Sequence, residues 1–331
     1  MVCLVTGATG FIGAALTRRL LAEGATVRVL VRAGADRRLI RDLPVEIAVG
    51  DLRDPRSLEA AVAGCEGLFH LAADYRLWVR DRAELYRTNV EGTRALMRAA
   101  GEAGLRRIVY TSSVATLGLC PDGSDADETT PVGLPDMVGH YKRSKYLAEQ
   151  AVAEMAMAGL PVVVVNPSAP IGPRDIRPTP TGRIIVAAAR GRLPVFVDTG
   201  LNVAHVDDVA AGHLLAYERG RIAERYILGG ENLTLAEILG AVAGLTGRRA
   251  PRRRIPWPVA MGVACLSETA ARVGMVREPM ATRDAVRMSR KRMYFSVDRA
   301  RRELGYRARP ANDAIRDAVD WFRHNGYLGA A

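Results

Sequence analysis

Lysine, aromatic residues and cysteine are scarce in this chain, and no long apolar run occurs in it. Of 47 basic residues in 331, only Lys142, Lys145 and Lys291 are lysine, leaving 44 arginines. Aromatics are 5% of the chain, too few to interleave with basic residues as a nucleic-acid surface requires, and the arginines alternate with acids along helical patterns. No nucleic-acid partner is expected, despite a formal net charge of +11. Cys3, Cys65, Cys120 and Cys265 form no CxxC pair and have no histidine at ligand spacing, which speaks for buried or half-buried thiols in a reducing compartment and against a metal site. The longest nearly uninterrupted apolar stretch, Ile255 to Leu266, has twelve residues and two prolines, well short of the roughly 20 that span a bilayer. The amino terminus lacks a basic segment ahead of an apolar one, so a cytoplasmic chain is expected. With 49% hydrophobic and 25% charged residues, the composition is that of an ordinary globular protein, long enough for a large domain with a smaller one attached.

The amino-terminal pattern is informative. Met1 to Thr6 is a continuous apolar run suited to a strand buried on both faces. Gly7-Ala8-Thr9-Gly10-Phe11-Ile12-Gly13 follows at once, and Ala14 to Ala22 has helical periodicity. Strand, glycine turn and helix in that order let backbone N–H groups and a helix dipole receive a pyrophosphate. A second strand, Thr26 to Val31, ends in Arg32, where an NAD-binding chain would carry an acid for the ribose 2′-hydroxyl. A guanidinium suits a 2′-phosphate instead, so Arg32, with Arg37 or Arg38 nearby, favours NADP over NAD. Val45 to Val49 leads into Asp51 and Leu52, with Asp51 placed to accept from an adenine amino group. Gly67 to Ala73 is a further buried strand, whose Leu71, Ala72 and Ala73 leave room for the cofactor. A helix is expected from Glu84 to Ala103, then a fifth strand from Arg107 to Thr111 and a sixth from Pro161 to Val165. The fold class is therefore α/β, a Rossmann-type doubly wound parallel sheet with a smaller, discontinuous C-terminal substrate domain.

Strand five runs into Ser112-Ser113, and Tyr141 and Lys145 follow 28 residues later as the chain's one Tyr-x3-Lys pair. Four apart on a helix, the two share a face. A neighbouring ammonium favours the phenolate of a tyrosine and moves it toward the working range of an acid–base catalyst. Ser113 is then placed to donate to a carbonyl oxygen.

These segments, together with GDL at 50–52, HLAA at 70–73, TNVEGT at 88–93, NPSAPIGPRD at 166–175, HVDDVA at 205–210 and DRARRELGY at 298–306, resemble the extended short-chain dehydrogenase/reductase superfamily, the NAD-dependent epimerase/dehydratase group. The resemblance implies Ser113, Tyr141 and Lys145 as the catalytic triad and Asn89 as a residue that positions Lys145 through water. It also implies Pro167 and Ser168 as a wall beside the nicotinamide, and Ser112, Tyr141 and Lys145 among the cofactor-binding residues. Within the group the chain is similar to the hopanoid-associated sugar epimerases, which in turn resemble dihydroflavonol 4-reductases. That implies hydride transfer at a carbinol or ketone carbon, by an epimerase that recycles its cofactor or by a reductase that consumes NADPH; a cofactor-bound regulator without turnover is a third reading. Ser112-Ser113 lacks the acids of sugar-nucleotide dehydratases, and Ala169 stands where many nucleotide-sugar epimerases have asparagine.

Beyond the triad, five prolines from Pro167 to Pro180 mark a loop over the site. Residues 1–166 with 200–228 are expected to bind the cofactor, and 167–199 with 229–331 a small-molecule substrate. Asp208 is expected to cap a helix over 209–218, and His205 to be structural or a substrate wall. Helices are expected at 234–246, 256–274 and 311–325, a strand near Tyr294 to Val297, and assembly as a homodimer. Arg248, Arg249, Arg252, Arg253 and Arg254 precede Ile255 to Leu266, whose Val259, Val263 and Leu266 share a helix face. That face is expected to pack into the substrate domain, an anionic membrane surface being the lesser alternative.

Overall fold

The computed structural model describes residues 1–329 except 77, 80, 277, 278 and 280. β1 (Val2–Thr6), β2 (Thr26–Val31), β3 (Glu46–Val49), β4 (Gly67–His70), β5 (Arg107–Thr111) and β6 (Val162–Pro167) alternate with α1 (Phe11–Ala22), α2 (Pro55–Val62), α3 (Arg82–Tyr86), α4 (Gly92–Glu102) and α5 (Gly139–Met157). β7 (Ala169–Ile171), α6 (Pro180–Ala189), β8 (Val195–Phe196), β9 (Gly200–His205), α7 (Val206–Arg219) and β10 (Arg225–Leu228) follow. The remainder comprises β11 (Glu231–Thr234), α8 (Leu235–Thr246), β12 (Arg253–Arg254), α9 (Trp257–Arg272), α10 (Arg283–Met288) and α11 (Ala311–His324).

Seven strands form one parallel sheet in the order β10-β6-β5-β4-β1-β2-β3. The winding reverses between β1 and β4, and ligands of such sheets bind at the carboxyl ends of the strands beside that point. Both sheet faces are covered, as parallel sheets require. On β1, Cys3 and Val5 pack toward α1 and α7, and Leu4 packs toward α2, α4 and α5. A smaller core joins α6, α8 and α11 over a three-stranded sheet, β11-β9-β7.

Five local expectations are corrected. The helix foreseen over 84–103 is α3 and α4 joined by a π-turn at Arg87–Glu91, whose widened turn carries Asn89 inward. α7 starts at Val206, capped by His205, whose Nδ1 accepts from the Asp207 N–H at 3.0 Å; Asp208 instead pairs with Arg309 at 2.7 Å. Tyr294 to Val297 makes no strand, because Asn232 and Asn202 side chains take up the Phe295 backbone groups that a strand partner would. Finally, Val259, Val263 and Leu266 are exposed, while Ala260 and Ala264 on the opposite side of α9 pack against α10. Cys265, on the same helix, is an exposed thiol rather than a buried one.

Candidate active site

The glycine turn is forced by contact. Gly7 has φ +76°, and a Cβ there would lie 2.8 Å from the Ala72 nitrogen; one on Gly13 would lie 2.1 Å from the Gly7 carbonyl oxygen. The Gly10 N–H donates to that oxygen at 2.9 Å, and no side chain caps α1, so the N–H groups of its first turn face the concave side of the loop. Thr9, Phe11 and Ile12 are half-buried around it. Thr6 ties the loop to β4: its hydroxyl accepts from the Ala72 N–H at 3.1 Å and lies 2.7 Å from His70 Nδ1, while His70 Nε2 lies 3.0 Å from the Thr93 hydroxyl. Burial, aided by the Lys145 charge, pushes His70 down to about 3. The ring is therefore neutral, with one nitrogen donating and the other accepting between the Thr6 and Thr93 hydroxyls.

Of the other cofactor candidates, Leu71, Ala72 and Ala73 are half-buried at the end of β4, and Leu52 is buried against Gly92. The Asp51 carboxylate is bound by Arg53 at 2.8 and 2.9 Å and held below the usual carboxylate range by that guanidinium. Arg32 is exposed just beyond β2, near enough to act on Asp51. Arg38 is engaged by Asp36, which leaves Arg32 the freer of the two. Pro167 is buried at the end of β6, and the Ser168 hydroxyl is buried without a partner among the described residues. A cradle closed to any Cβ and an orphaned hydroxyl at the strand ends fit a dinucleotide laid across this edge.

Ser113 and Tyr141 are brought together: the serine sits where β5 ends, its hydroxyl accepts from the Ala115 N–H at 3.1 Å, and it lies near enough to the Tyr141 phenol to act on it. Burial pushes that phenol above its ordinary value, and the neighbouring Ser113 hydroxyl opposes the rise. The expected stabilising partner, Lys145, is turned elsewhere. Its Nζ donates to the Thr111 carbonyl at 2.8 Å and the Tyr110 hydroxyl at 3.2 Å. Burial pushes Lys145 down to about 8, with Glu149 acting in the opposite sense. Asn89 does not touch Lys145. Its side chain accepts from the Asp74 N–H at 2.7 Å and donates to the Asp74 carbonyl and to the Ser144 hydroxyl at 2.9 and 3.0 Å, bracing the chain after β4 against α5.

A buried cluster that sequence reasoning missed lies beneath these groups. Glu149 Oε2 accepts from Ser112, from Thr116 at 2.7 Å and from Asn166 at 3.1 Å, while Oε1 accepts from Arg225 at 3.1 Å. Ser112 thus directs its hydroxyl under the strand rather than toward the cofactor. The available signal was spacing: Glu149 follows Lys145 by four residues, a carboxylate on the buried face of α5.

Beside the first turn of α5 lies a cavity of about 780 Å³ lined, among the described residues, by Arg76, Arg82, Arg143, Arg272, Arg283 and Arg287 and by two carboxylates, Glu268 and Asp284. Glu268 pairs with Arg283 at 2.9 Å and Arg272 at 3.7 Å, and Asp284 with Arg287 at 3.5 Å. Arg76 pairs with Asp74 and, at 4.0 Å, with Glu84, so Arg82 and Arg143 are left to give the cavity a positive charge beside the first turn of α5.

The "NAD dependent epimerase/dehydratase family" model matches residues 3–229. A "putative dihydroflavonol 4-reductase" of Synechocystis sp. is 46% identical, covering 98% of this chain and 95% of its own. "Sterol demethylase protein B" of Methylococcus capsulatus is 40% identical, covering 99% and 100%. The crystal structure of gox2253 matches with a TM-score of 0.89 at 52% identity over 99% of both chains. With this fold, this glycine cradle and this serine–tyrosine–lysine arrangement, the chain belongs to the NAD-dependent epimerase/dehydratase family and is an enzyme of the extended short-chain dehydrogenase/reductase type.

Proposed function

We propose that the protein is an NADP-preferring oxidoreductase that interconverts a ketone and a secondary alcohol. The observation that carries the reading is the Tyr141 phenol, kept protonated by burial and set beside the Ser113 hydroxyl at the end of β5. Two hydroxyl donors side by side suit a carbonyl oxygen that must be polarised and then protonated. Gly7, Gly10 and Gly13 would hold the pyrophosphate, Arg32 the 2′-phosphate, and Lys145 and Ser168 the nicotinamide half. Bound there, the nicotinamide supplies or accepts the hydride. Tyr141 gives the proton to the substrate oxygen, Ser113 orients that oxygen, and Lys145, anchored on the Thr111 carbonyl, keeps its cation close to the reacting end. Residues 1–166 with 200–228 serve as the cofactor-binding part, a division supported by β10 joining the main sheet and α7 packing on α1.

The arginine-lined cavity favours a substrate with an acidic group, and relatives named for dihydroflavonol and sterol chemistry favour an apolar ring system over a nucleotide sugar. The hopanoid-associated sugar epimerase reading is supported by the family match and differs in one measurable respect: an epimerase returns the hydride to its own substrate. Purified protein is mixed with NADPH and a panel of cyclic ketones with and without a carboxylate. Stoichiometric oxidation of NADPH, abolished in Tyr141→Phe, supports the reductase. Inversion of a sugar carbinol without net change in cofactor would replace it with the epimerase.

A further inference from the structure

The described residues include fourteen exposed large hydrophobic side chains, and seven of them (Leu245, Val259, Val263, Leu266, Val273, Met275 and Val276) fall in the 32 residues from 245 to 276. On α9 they are not scattered. At roughly 100° per residue, Val259, Val263, Leu266, Ala270 and Val273 lie within about 80° of arc. Ala260, Ala264, Glu268 and Ala271 occupy the buried side. Leu266 is 76% exposed and Met275 79%, so the apolar stripe is uncovered among the described residues.

The charge in the chain before it is basic. Arg248, Arg249, Arg252, Arg253 and Arg254, just before α9, are all exposed. Among the described residues only Arg254 of the five has a carboxylate partner, Asp198 at 3.0 Å. Glu268 is the sole acid between 245 and 276, and it is buried against Arg283. No helix among the described residues is long and apolar enough to cross a membrane, yet an exposed apolar stripe beside unpaired arginines is what an interfacial helix requires. A second copy of the chain suits the patch poorly, since a two-fold contact through α9 brings two arginine stretches onto one surface.

We propose that α9 and the arginine stretch before it form a docking surface for an anionic bilayer, with the apolar stripe entering the interface and the arginines on the headgroups. Glu268 and Arg272 of the same helix wall the cavity beside the start of α5, on the side of α9 away from the stripe, so docking leaves that cavity open. The proposal does not depend on the reaction assigned above.

Co-sedimentation with vesicles tests it, using phosphatidylcholine alone and phosphatidylcholine with phosphatidylserine, at low and high salt. Binding to the anionic vesicles only, weakened by salt, is expected. Replacing Arg248, Arg249, Arg252 and Arg253 by glutamine should weaken partitioning about fivefold per arginine, and Leu266→Glu with Met275→Glu at least tenfold. Unchanged thermal unfolding and NADPH binding in both variants show that the fold is intact. A protein that stays in the supernatant with anionic vesicles at low salt overturns the proposal. So does binding that survives Leu266→Glu with Met275→Glu, because the apolar stripe then plays no part. A dimer in light scattering that these two changes dissociate, with no vesicle binding, assigns the face to a second copy and overturns it equally.

Discussion

Glu149→Gln is the perturbation that best separates the buried architecture of the site from its reacting groups. The Glu149 side chain is 5% exposed and its two oxygens serve four donors: Ser112, Thr116 and Asn166 on one, Arg225 on the other. Glutamine can keep an oxygen toward the first three, but its amide then faces the Arg225 guanidinium, donor against donor. Arg225 is 32% exposed and can turn toward water, so the loss falls below the 3–5 kcal/mol of a fully buried broken pair, at about 2 kcal/mol. For 331 residues at about 2.1 cal/mol/K each, this lowers Tm by about 3 °C. Glu149→Ala, which orphans all four donors, should cost about 4 kcal/mol and about 6 °C. The kinetic effect has a definite sign. The Glu149 charge favours protonated Lys145, whose pKa burial has brought down to about 8. The neutral amide lets that proton leave at lower pH, so the alkaline limb of the kcat/KM profile moves to lower pH. Calorimetry and a pH–rate series on the same preparation give both quantities. A variant that melts with the wild type and keeps its alkaline limb in place would refute the role given to Glu149.

Tyr141→Phe should lower kcat by about 10²–10⁴-fold while NADPH titration by fluorescence is unchanged; substantial residual turnover would remove Tyr141 as the proton donor. Lys145→Met should abolish turnover yet stabilise the cofactor-free protein at pH 7 by about 1–3 kcal/mol, because a lysine with a folded pKa near 8 pays for its burial while charged. Between about pH 8 and 10.4 the unfolded chain binds the proton that the folded chain has released, so wild-type stability rises with pH there and the difference in Tm should shrink. Arg32→Ala should weaken NADP by about tenfold and leave NAD nearly unaffected; equal losses would discard the 2′-phosphate contact. Gly13→Ala, whose Cβ meets the Gly7 carbonyl oxygen at 2.1 Å, should eliminate cofactor binding in isothermal titration, because the turn cannot close around a methyl group.

Local chemistry with fixed spacing was legible in the sequence. A six-residue apolar run followed by glycines at 7, 10 and 13 leads to one backbone turn, since a Cβ on Gly7 or Gly13 would strike another main-chain atom. The Tyr141–Lys145 interval places both residues on one helix because the helical period is local. Strand alternation with helices likewise led to the parallel sheet, though not to the π-turn at Arg87–Glu91, which helix periodicity conceals. Long-range choices required the tertiary structure. Lys145 resembles a partner for Tyr141 along the chain, but the Thr111 carbonyl and Tyr110 hydroxyl across the sheet claim its protons. Ser112 resembles Ser113, yet alternation along the backbone and the distant Asn166 and Arg225 draw it into the Glu149 cluster. The amphipathic pattern at 257–272 specified a helix with an apolar face but not what covers that face. Only the packing of α10 on Ala260 and Ala264 decided that the small residues are buried and Val259, Val263 and Leu266 face outward. Periodicity along a chain determines which residues share a side of an element, whereas burial depends on which other elements reach that side, and those elements come from far along the chain.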